Sequence, residues 1–153
     1  MATGIMEVMV VNAKGLGDTD FFGRMDPYVL IQYKSQERKS SVARGEGGSP
    51  AWNESFKFKV DYPGSGEGYK IILKILDKDT FSSDDFIGQA TIYVEDLLAV
   101  GAEKGSAELH PRKYSIVQAD QTYRGEIQVG VTFTRKEEEY DGGDFGGWKE
   151  SEY

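Results

Sequence analysis

With 153 residues, 39% of them hydrophobic and 29% charged, the chain can build one domain with its own core but not two ordinary ones. It has no cysteine, which excludes disulfides, thiolate chemistry and cysteine-ligated zinc and accords with a cytosolic protein. The net charge of −8 is concentrated in residues 137–153, which hold seven acids and one base, so the first 136 residues carry 19 acids against 17 bases.

The start, Met1 to Ile5, has neither a basic nor an apolar signal region, and no secretory signal is expected. Neither a myristoylation glycine nor a prenylation cysteine is present, and no apolar run approaches the roughly 18–20 residues of a membrane span. Contact with a membrane must then come from the folded surface. The first element is a strand in which Met6, Val8 and Val10 alternate with Glu7 and Met9. An acidic stretch follows, Asp18-Thr19-Asp20-Phe21-Phe22-Gly23-Arg24-Met25-Asp26-Pro27, and then strands near 27–34 and 37–43. Phe56, Phe58 and Val60 alternate with Lys57 and Lys59 in a fourth strand. Gly64-Ser65-Gly66-Glu67-Gly68 has no Lys-Ser/Thr or helix behind it, so it reads as a hairpin connection and not a phosphate loop. Ile71, Leu73 and Ile75 mark a fifth strand. It runs into the second acidic stretch, Asp77-Lys78-Asp79-Thr80-Phe81-Ser82-Ser83-Asp84-Asp85. Further strands are expected at 86–94, 111–117 and 127–133, with one or two helical turns at Glu95–Ala99. About eight strands separated by Gly, Pro, Asp and Asn predict an all-β, antiparallel β-sandwich over residues 1–136. Residues 137–153, acidic and glycine-rich, predict a flexible, disordered tail.

In a run of antiparallel strands, the loops after strands one, three and five fall at the same end. The two acidic stretches are the loops after strands one and five, so they are expected to converge. Calcium takes six to eight oxygen ligands, and short carboxylates on turns suit it, whereas magnesium prefers fewer protein ligands. An EF-hand fits poorly. Asp18, Asp20 and Gly23 match its first, third and sixth loop positions, but the twelfth is Val29, and no helices flank the loop.

Four separate segments share one resemblance: Leu16 with Asp20 and Asp26-Pro27-Tyr28, then Trp52-Asn53-Glu54-Ser55-Phe56-Lys57-Phe58, then Asp77-Lys78-Asp79 with Asp85, then Ile87-Gly88. Residues 4–135 resemble a C2 domain. Lys34-Ser35-Gln36-Glu37-Arg38, Tyr62-Pro63-Gly64-Ser65-Gly66 and Tyr123-Arg124-Gly125-Glu126-Ile127 are similar to the small single-domain plant members, of the elicitor-responsive and phloem-mobile types. The resemblance implies the type II-like strand order, in which the last strand, 125–134, takes the place of an extra first strand. It also implies calcium ligation by Asp20, Asp26, Asp77, Asp79 and Asp85, with Ser82 and the backbone carbonyls of Phe21 and Phe81 as further donors. Asp18 and Asp84 are spare acids nearby.

Phe21, Phe22 and Phe81 are expected at the loop tips, where an exposed apolar side chain serves a soluble protein poorly and an interfacial one well. Arg38, Lys39, Lys57 and Lys59, with Lys34, form a candidate basic patch for anionic headgroups. The lone histidine, His110, and the absence of a Gly-x-Ser-x-Gly motif give no basis for catalysis. The expectation is a monomeric, non-enzymatic module. It binds anionic phospholipid when calcium is present and moves from the cytoplasm to the plasma membrane in calcium signalling, with plant defence as the setting. The alternative is a calcium-independent adaptor for a protein partner or RNA.

Overall fold

Alternation along each strand decides which side chains are covered. In β1 (Ala2–Lys14), Met6, Val8 and Val10 are fully buried, while Ile5, Glu7 and Met9 face outward. The same period sets β2 (Pro27–Tyr33), β4 (Ala51–Tyr62) and β5 (Lys70–Asp77), whose Ile71, Leu73 and Ile75 are fully buried. It also sets β8 (Tyr123–Arg135), which buries Ile127, Val129, Val131 and Phe133. Three shorter or more exposed strands complete the set: β3 (Gln36–Lys39), β6 (Asp85–Tyr93) and β7 (Ser106–Val117). One helix, α1, spans Glu95–Lys104. The computed structural model describes residues 2–17, 25–64, 68–79 and 83–136.

The strands lie in the order β3-β2-β5-β6-β7-β8-β1-β4, and neighbours pair antiparallel. The ladder is continuous but barely so, since β6 and β7 share one paired position, Gln89 with Val117. There the sheet folds on itself into two halves over one core. The rings of Tyr33 and Phe58 meet edge to face at 6.4 Å, joining β2 to β4 across that core. The Trp52 indole N–H donates to the Pro27 carbonyl at 3.2 Å, a second tie between the same strands. On the far side the halves meet through a side chain. The Gln36 amide donates to the Lys59 carbonyl at 2.7 Å and accepts the Lys59 N–H at 2.8 Å, standing in for a strand residue against the edge of β4. The sandwich expected from the sequence is therefore present, nearly closed into a barrel. Its last strand, β8, lies between β7 and β1, as the resemblance implies.

Three elements differ from the sequence expectation, each for a local reason. The helix has ten residues, not one or two turns, because Gly101 serves as a contact and not as a breaker. A Cβ at Gly101 would lie 2.4 Å from Cδ2 of the Phe133 ring, so glycine lets the helix rest on β8. The helix ends at Gly105, in a positive-φ conformation, and leads directly into β7, which begins at residue 106 and not 111. Pro111, which reads as a strand boundary, sits at a register shift between Leu109 and Arg112. β3 ends at Lys39 because Ser40 turns its hydroxyl onto the Val29 N–H, at 2.8 Å.

The register places residues 15–17, 25–26, 40–50, 78–79, 83–84 and 118–122 at one end of the sandwich. Gly125 (φ 86°) seats the last of these against the first, since a Cβ there would lie 2.7 Å from the Lys14 carbonyl oxygen.

Helix propensity and packing make opposite predictions at Gly101. Alanine in a helix interior gains about 1 kcal/mol over glycine, whereas overpacking a core contact costs about 1–3 kcal/mol. The added methyl has only the buried Phe133 ring to displace, so Gly101→Ala is expected to lower stability by roughly 1 kcal/mol or more. A urea unfolding midpoint above that of the wild type would contradict this packing.

Candidate functional site

Strand pairing gathers acids at the loop end. Asp77 is the last residue of β5, and its neighbours in the ladder are Pro27 on β2 and Asp85 on β6. Asp26, one residue before Pro27, donates its N–H to the Asp77 carboxylate at 2.8 Å. The Asp26 carbonyl accepts the Lys78 N–H at 3.0 Å, so the entry to β2 and the exit from β5 are fastened at two points. Asp26 also reaches the third loop, where its carboxylate accepts the Gly45 N–H. Asp77 is 6% exposed and hydrogen-bonded, Asp26 and Asp79 are half-buried, and Asp85 is exposed.

Asp84, a spare acid by sequence, is engaged in holding this end together. Its carboxylate accepts the Tyr28 hydroxyl and the Asp79 N–H, the latter at 2.9 Å, and lies 3.9 Å from the Lys78 ammonium. The Tyr28 hydrogen bond is the main reason its carboxyl titrates below the ordinary range, and the Asp79 N–H and Lys78 add to it. Burial, followed by the bond to Asp84, pushes the Tyr28 phenol up to about 12. The Lys39 ammonium is 5.7 Å from the Tyr28 ring centroid. Nothing in the sequence links Tyr28 to Asp84; only the pairing of β2 with β5 brings them together.

Asp20, Phe21, Phe22, Phe81 and Ser82 lie outside the described residues. Of the expected ligands, the described ones are Asp26, Asp77, Asp79 and Asp85, and the structure brings all four to one end. Among the described residues no three acidic side chains are by themselves close enough to hold a metal ion. The donors gathered are carboxylates, hard oxygen ligands of the kind calcium takes. Two exposed aromatic residues that the sequence did not single out stand at this end. Phe86 is 38% exposed beside Asp85, and Tyr123 is 72% exposed at the start of β8. The signal available for Phe86 was its position straight after the second acidic stretch.

The expected basic residues are distributed more widely. Lys34 lies 4.4 Å from the Tyr69 ring centroid, in the turn at the opposite end, and Arg38 lies over Phe58 at the seam of β3 and β4. Lys39 faces the acidic end through Tyr28. Lys57 and Lys59 are on the outer face of β4, opposite Glu7 and Ile5 of β1, and line a groove with Arg135 and Lys136.

Comparison with known proteins gives consistent likenesses. The profile of the C2 domain matches residues 4–109. The chain is 53% identical to 16 kDa phloem protein 1 of Arabidopsis thaliana, covering 99% of each. It is 48% identical to elicitor-responsive protein 1 of Oryza sativa subsp. japonica, over 97% of this chain and 96% of that one. A solved structure of a C2 domain-containing protein from an elicitor-responsive gene matches with a TM-score of 0.68 at 40% identity, over 89% of this chain and 92% of that one.

The Asp84 network gives a pH test. A carboxyl held below its unfolded value stabilises the fold above the unfolded pKa, about 3.9, and the contribution disappears as pH falls through the folded pKa. In chelator, Asp84→Asn is therefore expected to unfold at lower urea than the wild type at neutral pH. The gap should narrow steadily below about pH 4. A gap that stays constant down to about pH 2 would show that the Asp84 charge contributes nothing to folding.

Proposed function

The chain belongs to the C2 domain family, and on that premise we propose that its acidic end binds calcium and docks on anionic phospholipid. The observation that supports this reading is the placement of Asp26, Asp77 and Asp85 at one end of three adjacent strands, set by the β2–β5–β6 register. Asp26, Asp77, Asp79 and Asp85 would hold the ion, with Asp20 as a fifth carboxylate. When bound, calcium supplies positive charge and open coordination positions for phosphate oxygens.

Charge explains why this end repels a membrane without the ion. The first 136 residues hold 17 bases against 19 acids, and neutralising those five aspartates leaves 14 acids, a net of about +3. Each basic residue near an anionic surface then contributes about 1 kcal/mol. Phe86 and Tyr123 flank the acids, and aromatic side chains favour the headgroup region. The module is non-enzymatic on this reading, and its peripheral attachment needs no spanning segment. Among the described residues no helix is long and apolar enough to cross a membrane. Recruitment from the cytoplasm to the plasma membrane, in a defence response of the kind the elicitor-responsive relatives are named for, follows as part of the proposal.

Sedimentation with phosphatidylserine-containing vesicles tests it. The wild type should pellet in calcium and remain soluble in chelator. Asp77→Asn/Asp79→Asn keeps an oxygen acceptor for the Asp26 N–H but removes two charges. It should bind at least tenfold more weakly in calcium, about 1.4 kcal/mol. Equal pelleting of the wild type in calcium and in chelator would remove the calcium switch.

A further inference from the structure

We propose that the outer face of β8, β1 and β4 is the docking groove for the chain's own acidic C-terminal segment, residues 137–153. The groove, about 640 Å³, runs along the solvent side of these strands. Its floor contains Ile5, and the same row of β1 continues to Met9; they are 40% and 38% exposed, large apolar side chains left open on a strand face. Short threonines, Thr132 and Thr134 on β8, form one wall, and Lys57 and Lys59 on β4 form the other.

The charges in the groove are unevenly matched. Glu7 stands opposite Lys57, and Asp61 accepts the Thr3 hydroxyl at 3.0 Å. The Arg135 guanidinium donates to the Ala102 carbonyl at 2.6 Å. Among the described residues, Lys59 and Lys136 have no ion-pair partner. The groove thus offers Ile5 and Met9, with Glu7 between them, beside the cations of Lys57, Lys59 and Lys136, and its natural occupant carries aromatic and acidic residues together.

Residues 137–153 have that composition and begin at the groove. Lys136, a lining residue, is followed at once by Glu137-Glu138-Glu139. Asp141-Gly142-Gly143-Asp144-Phe145-Gly146-Gly147-Trp148 comes next, with acids, two aromatics and two glycine pairs at which the chain can reverse. From Thr3 to Met9 the strand rises about 20 Å. Seventeen residues reach up to about 55–60 Å when extended, enough to turn back and lie along it. A segment tethered at the site it occupies acts at an effective concentration in the millimolar range, so modest contacts suffice. Ile5 and Met9 offer Phe145 and Trp148 an apolar surface.

The test uses the full chain in chelator without lipid, so its result is independent of the calcium reading. Trp52 is buried, and subtracting the emission of Trp148→Phe isolates Trp148. We expect Trp148 to be blue-shifted and shielded from acrylamide in the wild type. Lys59→Glu/Lys136→Glu should shift it to the red and raise its quenching several-fold, with Trp52 unchanged as the control for folding. Adding Glu137→Lys/Glu138→Lys to the charge-reversed chain should restore the shielding, which a mere structural defect would not allow. Trp148 as accessible as free indole in the wild type overturns the proposal. So does a charge-reversed chain in which Trp148 keeps its blue shift and its shielding.

Discussion

The hydrogen bond from the Asp26 N–H to the Asp77 carboxylate, with the ladder position that permits it, is the contact on which this end of the molecule depends. Asp77 is nearly covered, and a covered carboxylate is costly unless donors face it. The backbone of the first loop supplies one. The order of dependence is strict. The pairing of Pro27 with Asp77 and of Asp77 with Asp85 sets which side chains can meet, and a slip of one residue would send every second side chain to the opposite face. Buried Val29, Ile31, Leu73 and Ile75 prevent that slip, so the apolar core holds the acidic end in register.

Strong periodicity was legible in the sequence because burial on one face leaves an alternating trace. Met6, Val8 and Val10 occupy the covered face, as do Ile71, Leu73 and Ile75. The convergence of Asp26 with Asp77 was legible too, since antiparallel order alone puts the loops after strands one and five together. What escaped reading depends on contacts without a local trace. The helix expected at Glu95–Ala99 runs on through Gly101, which lies against Phe133, and Pro111 looks like a strand boundary until the register shift beside it accommodates the ring. Gln36 closes the sandwich with its side chain, which no periodicity records. Asp84 and Asp85 are adjacent acids with nothing in the sequence to tell them apart. One faces Tyr28 and Lys78, and the other is exposed.

That difference between neighbouring acids explains how the fold tolerates so much negative charge at one end. Asp77 and Asp84 accept hydrogen bonds that fasten loops: Asp77 from the Asp26 backbone, Asp84 from Tyr28 and the Asp79 backbone. Their charge is offset by fixed donors and, for Asp84, by the Lys78 ammonium. Asp85 is exposed, and its charge is left to water and to any cation in solution. Both kinds of acid occur between Asp77 and Asp85, so a charge-neutral substitution is not equivalent at every position. Asparagine at Asp77 keeps the acceptor for the Asp26 N–H, whereas asparagine at Asp84 weakens the bond that holds Tyr28.

The same sheet order separates this end from the groove on the other half. β2, β5 and β6 carry the acids, and β8, β1 and β4 carry Lys57, Lys59, Arg135 and Lys136. The halves meet in regular ladder geometry at a single pair, Gln89 with Val117, and through the Gln36 side chain on the opposite edge. Charges on the two halves are therefore separated by the apolar core and not by water, and the core holds their relative placement fixed. An acidic segment leaving β8 at Lys136 starts at the end opposite the aspartates, since β8 begins beside the loops and finishes away from them. Like-charge repulsion between that segment and the aspartate end favours the near, cationic face over the far, acidic one. At ionic strengths where the Debye length is about 8–10 Å the bias is local: Lys59 and Lys136 act on residues within reach of the groove, and the aspartates act on whatever approaches the loops.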